Sequence, residues 1–219
     1  MVLLSPDEVG RYQRYKVSEA ARTFLTARVF LRSLLTHYRG LSPSTWRFDL
    51  NPWGRPSVAG NAAAGLQFNL SHKPTMVTCL LGFERSLGVD VEACESRRLD
   101  FLAIAERFFS PLEATGLCAL APDHQPARFF ELWTLKESYI KARGIGLGLG
   151  LSQFSFTVDG DGATVRFEPG FPDDAARWTF RLFRPDAGHV IAAAVERVAG
   201  EAHIVDQGDG AGVVRRVLE

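Results

Sequence analysis

Hydrophobic positions along the chain follow two rhythms, and each rhythm occurs twice. In FFELWTLKESYIKARG, Phe129 to Gly144, the residues Phe129, Leu132, Trp133, Leu135, Tyr139 and Ile140 share one sector at 100° per residue. That pattern predicts an amphipathic helix. ARTFLTARVFLRSLLTHY, near the N-terminus, predicts another. Between and after these stretches the period drops to two. LQFNLSH, MVTCLLGFE, LGVDVEA, RWTFRLFR and HVIAAAVE read as strands. A turn is expected at Asn51–Pro56 in STWRFDLNPWGRPSV, and LSQFSFTVDGDGATVRFE reads as a hairpin turning at Asp159–Gly162.

The two long helices are preceded by matching start signals. SPDE at Ser5–Glu8 and SPLE at Ser110–Glu113 are both capping boxes, with Ser as N-cap, Pro at the first helical position and Glu at the third. Their offset is 105 residues, and at that offset Phe24 falls on Phe129, Ser33 on Ser138 and Leu35 on Ile140. The expected fold is therefore α+β, built of two pseudo-duplicated halves. Each half is a long helix on a small, mainly antiparallel sheet, with the active site in the cleft between them. The boundaries expected are 1–86, 87–205 and a flexible Gly/Asp-rich tail at 206–219. Where the copies differ, Arg28 and Arg32 on the first helix face Trp133 and Glu137 at the offset positions of the second. One copy offers cations and the other a carboxylate, which suits an anionic ligand together with a metal.

Bulk properties narrow the class. The chain has 219 residues, 46% hydrophobic and 23% charged, with zero net charge. That is a globular composition without the overall basicity of a nucleic-acid or membrane-surface binder. Three cysteines, Cys79, Cys94 and Cys118, have no CxxC spacing, so a reducing cytoplasm is expected and the thiols are read as small core residues. No signal peptide is visible in MVLLSPDE, and residues 144–158 lack charge but are too short to span a bilayer.

Lys136 sits near the middle of the apolar sector, where a buried ammonium is costly unless paired. Glu137 and Lys141 lie on its flank one turn apart. An i,i+4 pair explains the latter two but not Lys136, whereas a helix lining a polar cleft explains all three, and Lys136 is counted with the cofactor-binding residues. In LGVDVEA, Asp90 and Glu92 point to the same side of a strand, where like charges repel unless a cation lies between them. Hard oxygen ligands favour Mg²⁺ with phosphate; the alternative is an ordinary solvated strand face. Ser71 and His72 in FNLSH suit an anion better than they suit a nucleophile and base, because no GxSxG elbow is present. Arg55 lies in the NPWGRP turn, in reach of a phosphate or of solvent alone. RGIGLGLGLSQF lacks both GxGxxG and the P-loop pattern, so its glycines are read as a helix end and a loop.

GVDVE and WTLKESYIKARG together resemble the Sfp-type 4'-phosphopantetheinyl transferases. NPWGRP at Asn51–Pro56, NLSH at Asn69–His72 and RFFSPLE at Arg107–Glu113 match the same pattern in the same order, and Trp133 follows Glu92 by 41 residues. The resemblance implies transfer of 4'-phosphopantetheine from coenzyme A to a serine of an apo acyl or peptidyl carrier protein, with release of adenosine 3',5'-bisphosphate. It implies Mg²⁺ or Mn²⁺ held by Asp90, Glu92 and Glu137. It also implies Glu137 as the group that activates the serine hydroxyl, and Lys141 as the charge on the transferred phosphate. Arg55, Ser71 and His72 match residues at the 3'-phosphoadenosine end, with Arg22 and Thr23 near that phosphate, so residues 1–86 form the nucleotide-binding side. A cytoplasmic monomer that binds neither nucleic acid nor membrane is expected. A non-catalytic coenzyme A-binding module and an Mg²⁺-dependent phosphohydrolase of similar substrates are the competing readings.

Overall fold

The computed structural model describes residues 3–60, 65–94 and 100–198, and the backbone of 203–208 and 213–218. Two helices open the chain, α1 (Pro6–Gln13) and α2 (Ser18–Arg39). Short strands β1 (Phe48–Leu50) and β2 (Pro56–Val58) flank the NPWGRP turn, and β3 (Leu66–Lys73) and β4 (Met76–Phe83) form a hairpin. Then come β5 (Leu87–Ala93), α3 (Phe101–Phe108), α4 (Pro111–Cys118) and α5 (Gln125–Arg143). Strands β6 (Phe154–Asp159), β7 (Gly162–Phe167), β8 (Trp178–Asp186) and β9 (His189–Glu196) follow. The larger sheet has the order β5-β9-β8-β7-β6 and every pairing in it is antiparallel. The architecture is α+β, as the sequence predicts. Strand β10 (His203–Gly208), which crosses into the stretch expected as a tail at 206–219, pairs antiparallel with β11 (Val213–Leu218) inside it, while 209–212 and 219 lie outside the described residues. No helix among the described residues is long and apolar enough to cross a membrane.

The repeat at offset 105 has a physical counterpart. Helices α1 and α4 each span eight residues, 105 apart at both ends, and each begins with a complete capping box. In both, the capping glutamate does a second job by holding a buried cation from the long helix that follows. Glu8 Oε2 accepts from Ser5 N–H at 2.9 Å and from Arg32 Nε at 2.8 Å. Glu113 Oε2 accepts from Ser110 N–H at 3.1 Å and pairs with Lys136 Nζ at 2.8 Å. Each cation then donates to carbonyls just beyond its own helix. Arg32 reaches Pro43 O and Trp46 O, and Lys136 reaches Leu151 O and Phe154 O. Trp46 and Leu151 are themselves 105 apart. Each half thus contains one ionic latch tying a short helix, a long helix and the chain that follows it.

Lys136 therefore does not line the cleft, which corrects the sequence expectation. Its side chain is 0% exposed, with its three N–H donors taken and the Phe154 ring 4.4 Å from the ammonium. Burial lowers its pKa and the Glu113 charge opposes that shift. The apolar sector of α5 is real; Lys136 belongs to it because it is neutralised there. Around it lie Phe129, Leu132, Leu135, Tyr139 and Ile140, all buried against the larger sheet. In the other half Leu31 and Leu35 of α2 pack on Trp46, Leu66 and Phe68. Full burial of each such side chain contributes about 1.5–3 kcal/mol.

Strand β5 is buried on both faces. Leu87 and Val89 pack with Leu80, Ala193 and Val195, while Gly88 faces α5. A Cβ there would lie 2.1 Å from Ser138 O and 2.4 Å from Ala142 N, so only glycine permits this approach. At the C-terminal end of α5, Asp173 gathers Tyr139 Oη at 2.6 Å, Arg143 Nη1 at 2.6 Å and Trp178 Nε1 at 3.0 Å. Burial alone would raise the Asp173 pKa; hydrogen bonds from Tyr139 and the Asp174 N–H, with the Arg143 charge, outweigh it and hold it below the usual range.

Two outcomes are expected. Gly88→Ala must push α5 off β5 and should cost about 1–3 kcal/mol or more in denaturant unfolding; an unchanged midpoint would show that the contact relaxes freely. Lys136→Met removes one partner of a buried pair and should cost about 3–5 kcal/mol. A lysine that serves a ligand would instead lose binding at unaltered stability.

Candidate active site

The site is assembled where β3, β5, α5 and the NPWGRP turn meet. Asn51 shapes that turn, its Oδ1 accepting from the N–H groups of Trp53 at 3.0 Å and Arg55 at 2.8 Å. The Asn51 Nδ2 donates to Gly144 O at 3.0 Å. Arg55 then caps the helix. Its Nη1 donates to Lys141 O at 2.6 Å and Ala142 O at 2.9 Å, and its Nη2 to Leu87 O at 3.0 Å. A guanidinium on unpaired C-terminal carbonyls complements the helix dipole. Burial lowers the Arg55 pKa. Three donors are used on protein carbonyls and two are left for a ligand.

Strands β3 and β5 run side by side, and side chains of β3 satisfy amides of β5. Asn69 Oδ1 accepts from Val89 N–H at 2.9 Å and Ser71 Oγ from Val91 N–H at 3.3 Å. The i,i+2 spacing of Asn69 and Ser71 matches that of the two amides. Ser71 also donates to Asp90 Oδ1 at 2.8 Å and accepts from Lys141 Nζ at 2.9 Å. One donor and two lone pairs are thereby filled. In this arrangement Ser71 orients Asp90 and Lys141, whereas the sequence suggested a hydroxyl turned to an anion. His72, next along the strand, is exposed. Its pKa is lowered by partial desolvation first and then by the charges of Lys141, Arg28 and Lys73.

Lys141 Nζ pairs with Asp90 Oδ1 at 2.6 Å, and Lys73 Nζ pairs with Glu92 Oε2 at 2.5 Å. Asp90 is 5% exposed and its Oδ2 is buried without a partner. Burial raises the pKa of both Glu92 and Glu137. The Asp90 charge adds to each shift, while Lys141 and Lys73 oppose it. The three carboxylates thus feel one another from two elements. Glu137 and Lys141, with Arg55, Asn69, Ile140 and Trp53, line an open cleft of about 230 Å³. Among the described residues no three His, Cys, Asp or Glu side chains converge closely enough to enclose an ion in this arrangement, in which lysines hold Asp90 and Glu92. The donor set nonetheless fits a hard divalent cation: it is all oxygen, mutually repelling, and leaves one buried carboxylate atom unsatisfied.

Of the residues expected from sequence, the structure brings Arg55, Ser71, Asp90, Glu92, Glu137 and Lys141 together, with His72 at the margin. Lys136 lies in the core. Thr23 donates to Glu19 O within α2, and Arg22 is exposed on that helix. Neither has a hydrogen bond or ion pair to the acidic cluster among the described residues. Of the two helix cations that the sequence offered to an anionic ligand, the Arg28 charge reaches His72, whereas Arg32 is buried on Glu8 and the carbonyls of Pro43 and Trp46. Asn51, Asn69 and Lys73 were not singled out, although the Asn-x-Ser alternation on β3 was a legible signal. Cys118 is exposed, which corrects its reading as a core thiol; Cys79 and Cys94 are partly buried and free.

Residues 86–194 match the family model for the 4'-phosphopantetheinyl transferase superfamily. The chain is 34% identical over 193 residues to 4'-phosphopantetheinyl transferase HetI of Nostoc sp., covering 88% of this chain and 78% of that protein. It is 32% identical over 192 residues to 4'-phosphopantetheinyl transferase Sfp of Bacillus subtilis, covering 88% and 82% respectively. The crystal structure of Thermotoga maritima holo-[acyl-carrier-protein] synthase aligns with a TM-score of 0.42 and 19% identity over 57% of this chain and 70% of its own, a partial likeness on which nothing further rests. With the matched segment containing Asp90, Glu92, Glu137 and Lys141, and two relatives above 30% identity across most of both chains, the protein belongs to the 4'-phosphopantetheinyl transferase family, enzymes that move the phosphopantetheine group from coenzyme A to a carrier protein.

Proposed function

We propose that this chain transfers 4'-phosphopantetheine to a carrier-protein serine in the cleft between α5, β5 and the NPWGRP turn. The observation that carries the reading is the convergence of Glu137, Lys141 and Arg55 on one open cleft, above the buried Asp90. The serine oxygen forms a bond to the phosphorus next to pantetheine. The phosphoanhydride bond breaks and adenosine 3',5'-bisphosphate leaves. Glu137, which lines the cleft one helical turn from Lys141, takes the serine proton. Lys141 faces the phosphate charge from the same helix turn. Arg55 and His72 meet the nucleotide end. Ser71 keeps Asp90 and Lys141 in place. A divalent cation, Mg²⁺ or Mn²⁺, would be held by Asp90, Glu92 and Glu137, and when bound it supplies positive charge to the phosphate oxygens. Catalysis is then mostly positioning and charge neutralisation. The three free cysteines fit a cytoplasmic compartment.

The carrier protein must present its serine at the cleft mouth. Net charge is zero, so docking rests on a local patch. Leu112 is 59% exposed and Phe108 39% exposed, with the Arg107 guanidinium 5.1 Å from the Phe108 ring. Phe109, by contrast, is buried. An apolar pair with a cation beside it suits an acidic helical partner.

The test is incubation with coenzyme A, Mg²⁺ and a panel of apo acyl and peptidyl carrier proteins, read by intact mass. A mass gain of one phosphopantetheine on the carrier is expected; free phosphopantetheine would point to hydrolysis instead. Glu137→Gln and Asp90→Ala should each lower kcat by at least about a hundredfold with the fold retained, and excess chelator should stop turnover of the wild type. Near-wild-type kcat at saturating Mg²⁺ would remove the assigned role. Leu112→Glu should raise KM for the carrier roughly fivefold or more and leave KM for coenzyme A unaltered; equal changes in both would place the patch elsewhere.

A further inference from the structure

The acidic cluster is balanced from two sides by lysines that are held differently. Lys141 rises from α5 and is fixed by Asp90 and by Ser71. Lys73 is the last residue of β3, beside the β3–β4 turn, and its bond to Glu92 is the ion pair the structure gives it. Its side chain is 34% exposed, on a four-carbon stem. The buried, unpartnered Asp90 Oδ2 shows that the two ammoniums do not fully satisfy the cluster. A divalent cation that takes Glu92 Oε2 must displace Lys73.

We propose that Lys73 is a tethered competitor for the metal: its ammonium occupies Glu92 until a divalent cation takes its place. This rests on the reading of Asp90, Glu92 and Glu137 as metal-holding residues, and adds to it a residue that sets the affinity. A cation near that group stabilises the metal-free cluster and repels the incoming ion, so both effects of Lys73 weaken metal binding. Once displaced, the ammonium lies at the edge of a site that receives an anionic substrate, with Lys141 already committed beside it.

The experiment is titration of the full chain with Mn²⁺, free ion being followed by electron paramagnetic resonance, in the absence and presence of coenzyme A and without carrier protein. Lys73→Met should bind Mn²⁺ roughly five- to tenfold more tightly than the wild type. Lys73→Arg, which keeps the charge, should stay within about twofold. Arg166→Met removes an exposed cation on β7, 69% exposed at its side chain, and should leave the affinity unaltered. Thermal melts of each variant establish that the folded state is being titrated. Unaltered Mn²⁺ affinity in Lys73→Met, with weakened affinity in Glu92→Gln, would overturn the competitor role and leave the metal-holding reading standing. Equal tightening in Lys73→Met and Arg166→Met would overturn it in favour of a general charge effect. Absence of Mn²⁺ binding in every variant and in the wild type would overturn both.

Discussion

The approach of α5 to β5 at Gly88 sets the geometry on which the rest depends. With no side chain between them, the helix backbone at Ser138 and Ala142 lies against the strand. Asp90, two residues along that strand, then meets Lys141, and Glu137 on the same helix shares the charge environment of Asp90 and Glu92. A helix held one side-chain layer further away would separate these groups by several ångströms and leave solvent between them. The pocket is a consequence of a packing distance as much as of the identity of its charged residues.

Charges in this protein divide into those that close the fold and those that open the site. Arg32 and Lys136 are fully enclosed, each held by a capping glutamate and two carbonyls. Buried pairs of this kind contribute little net stability, yet removing one partner is strongly destabilising, so they act chiefly to define one arrangement. Lys141 and Lys73 are partly exposed, and the Asp90 carboxylate that holds Lys141 keeps one buried oxygen without a partner. The same ion-pair chemistry thus serves rigidity in the core and exchange at the cleft, with burial deciding which.

Much of this was legible in the sequence because local signals and global fold agree. The capping boxes, the period-two strands, the Asp159–Gly162 hairpin and the helix ending at Gly144 follow from rules that act within a few residues. Asp90 and Glu92 stood out because like charges two residues apart on a strand require a counter-charge. Glu137 and Lys141 stood out as a pair flanking the apolar sector of their helix, and their roles came from the resemblance to the 4'-phosphopantetheinyl transferases. The misreadings share one cause, since they depend on partners distant in the chain. Lys136 looks like a ligand-binding group until Glu113 and the carbonyls at 151 and 154 are seen around it. Ser71 looks free until Asp90, Lys141 and the Val91 amide fill its hydroxyl. Lys73 gave no sequence signal, because nothing near it in the chain marks it as the partner of Glu92.

The burial of Lys136 beside the cleft-lining Glu137 also has a genetic meaning. Adjacent codons in this helix encode different kinds of loss. If Glu137 acts as proposed, a lesion there removes chemistry and leaves the latch and the fold in place, whereas a lesion at Lys136 breaks the latch and lowers the fraction of chain that folds. Two neighbouring alleles, equal in a simple loss-of-activity assay, would then separate by how much folded protein each leaves in the cell.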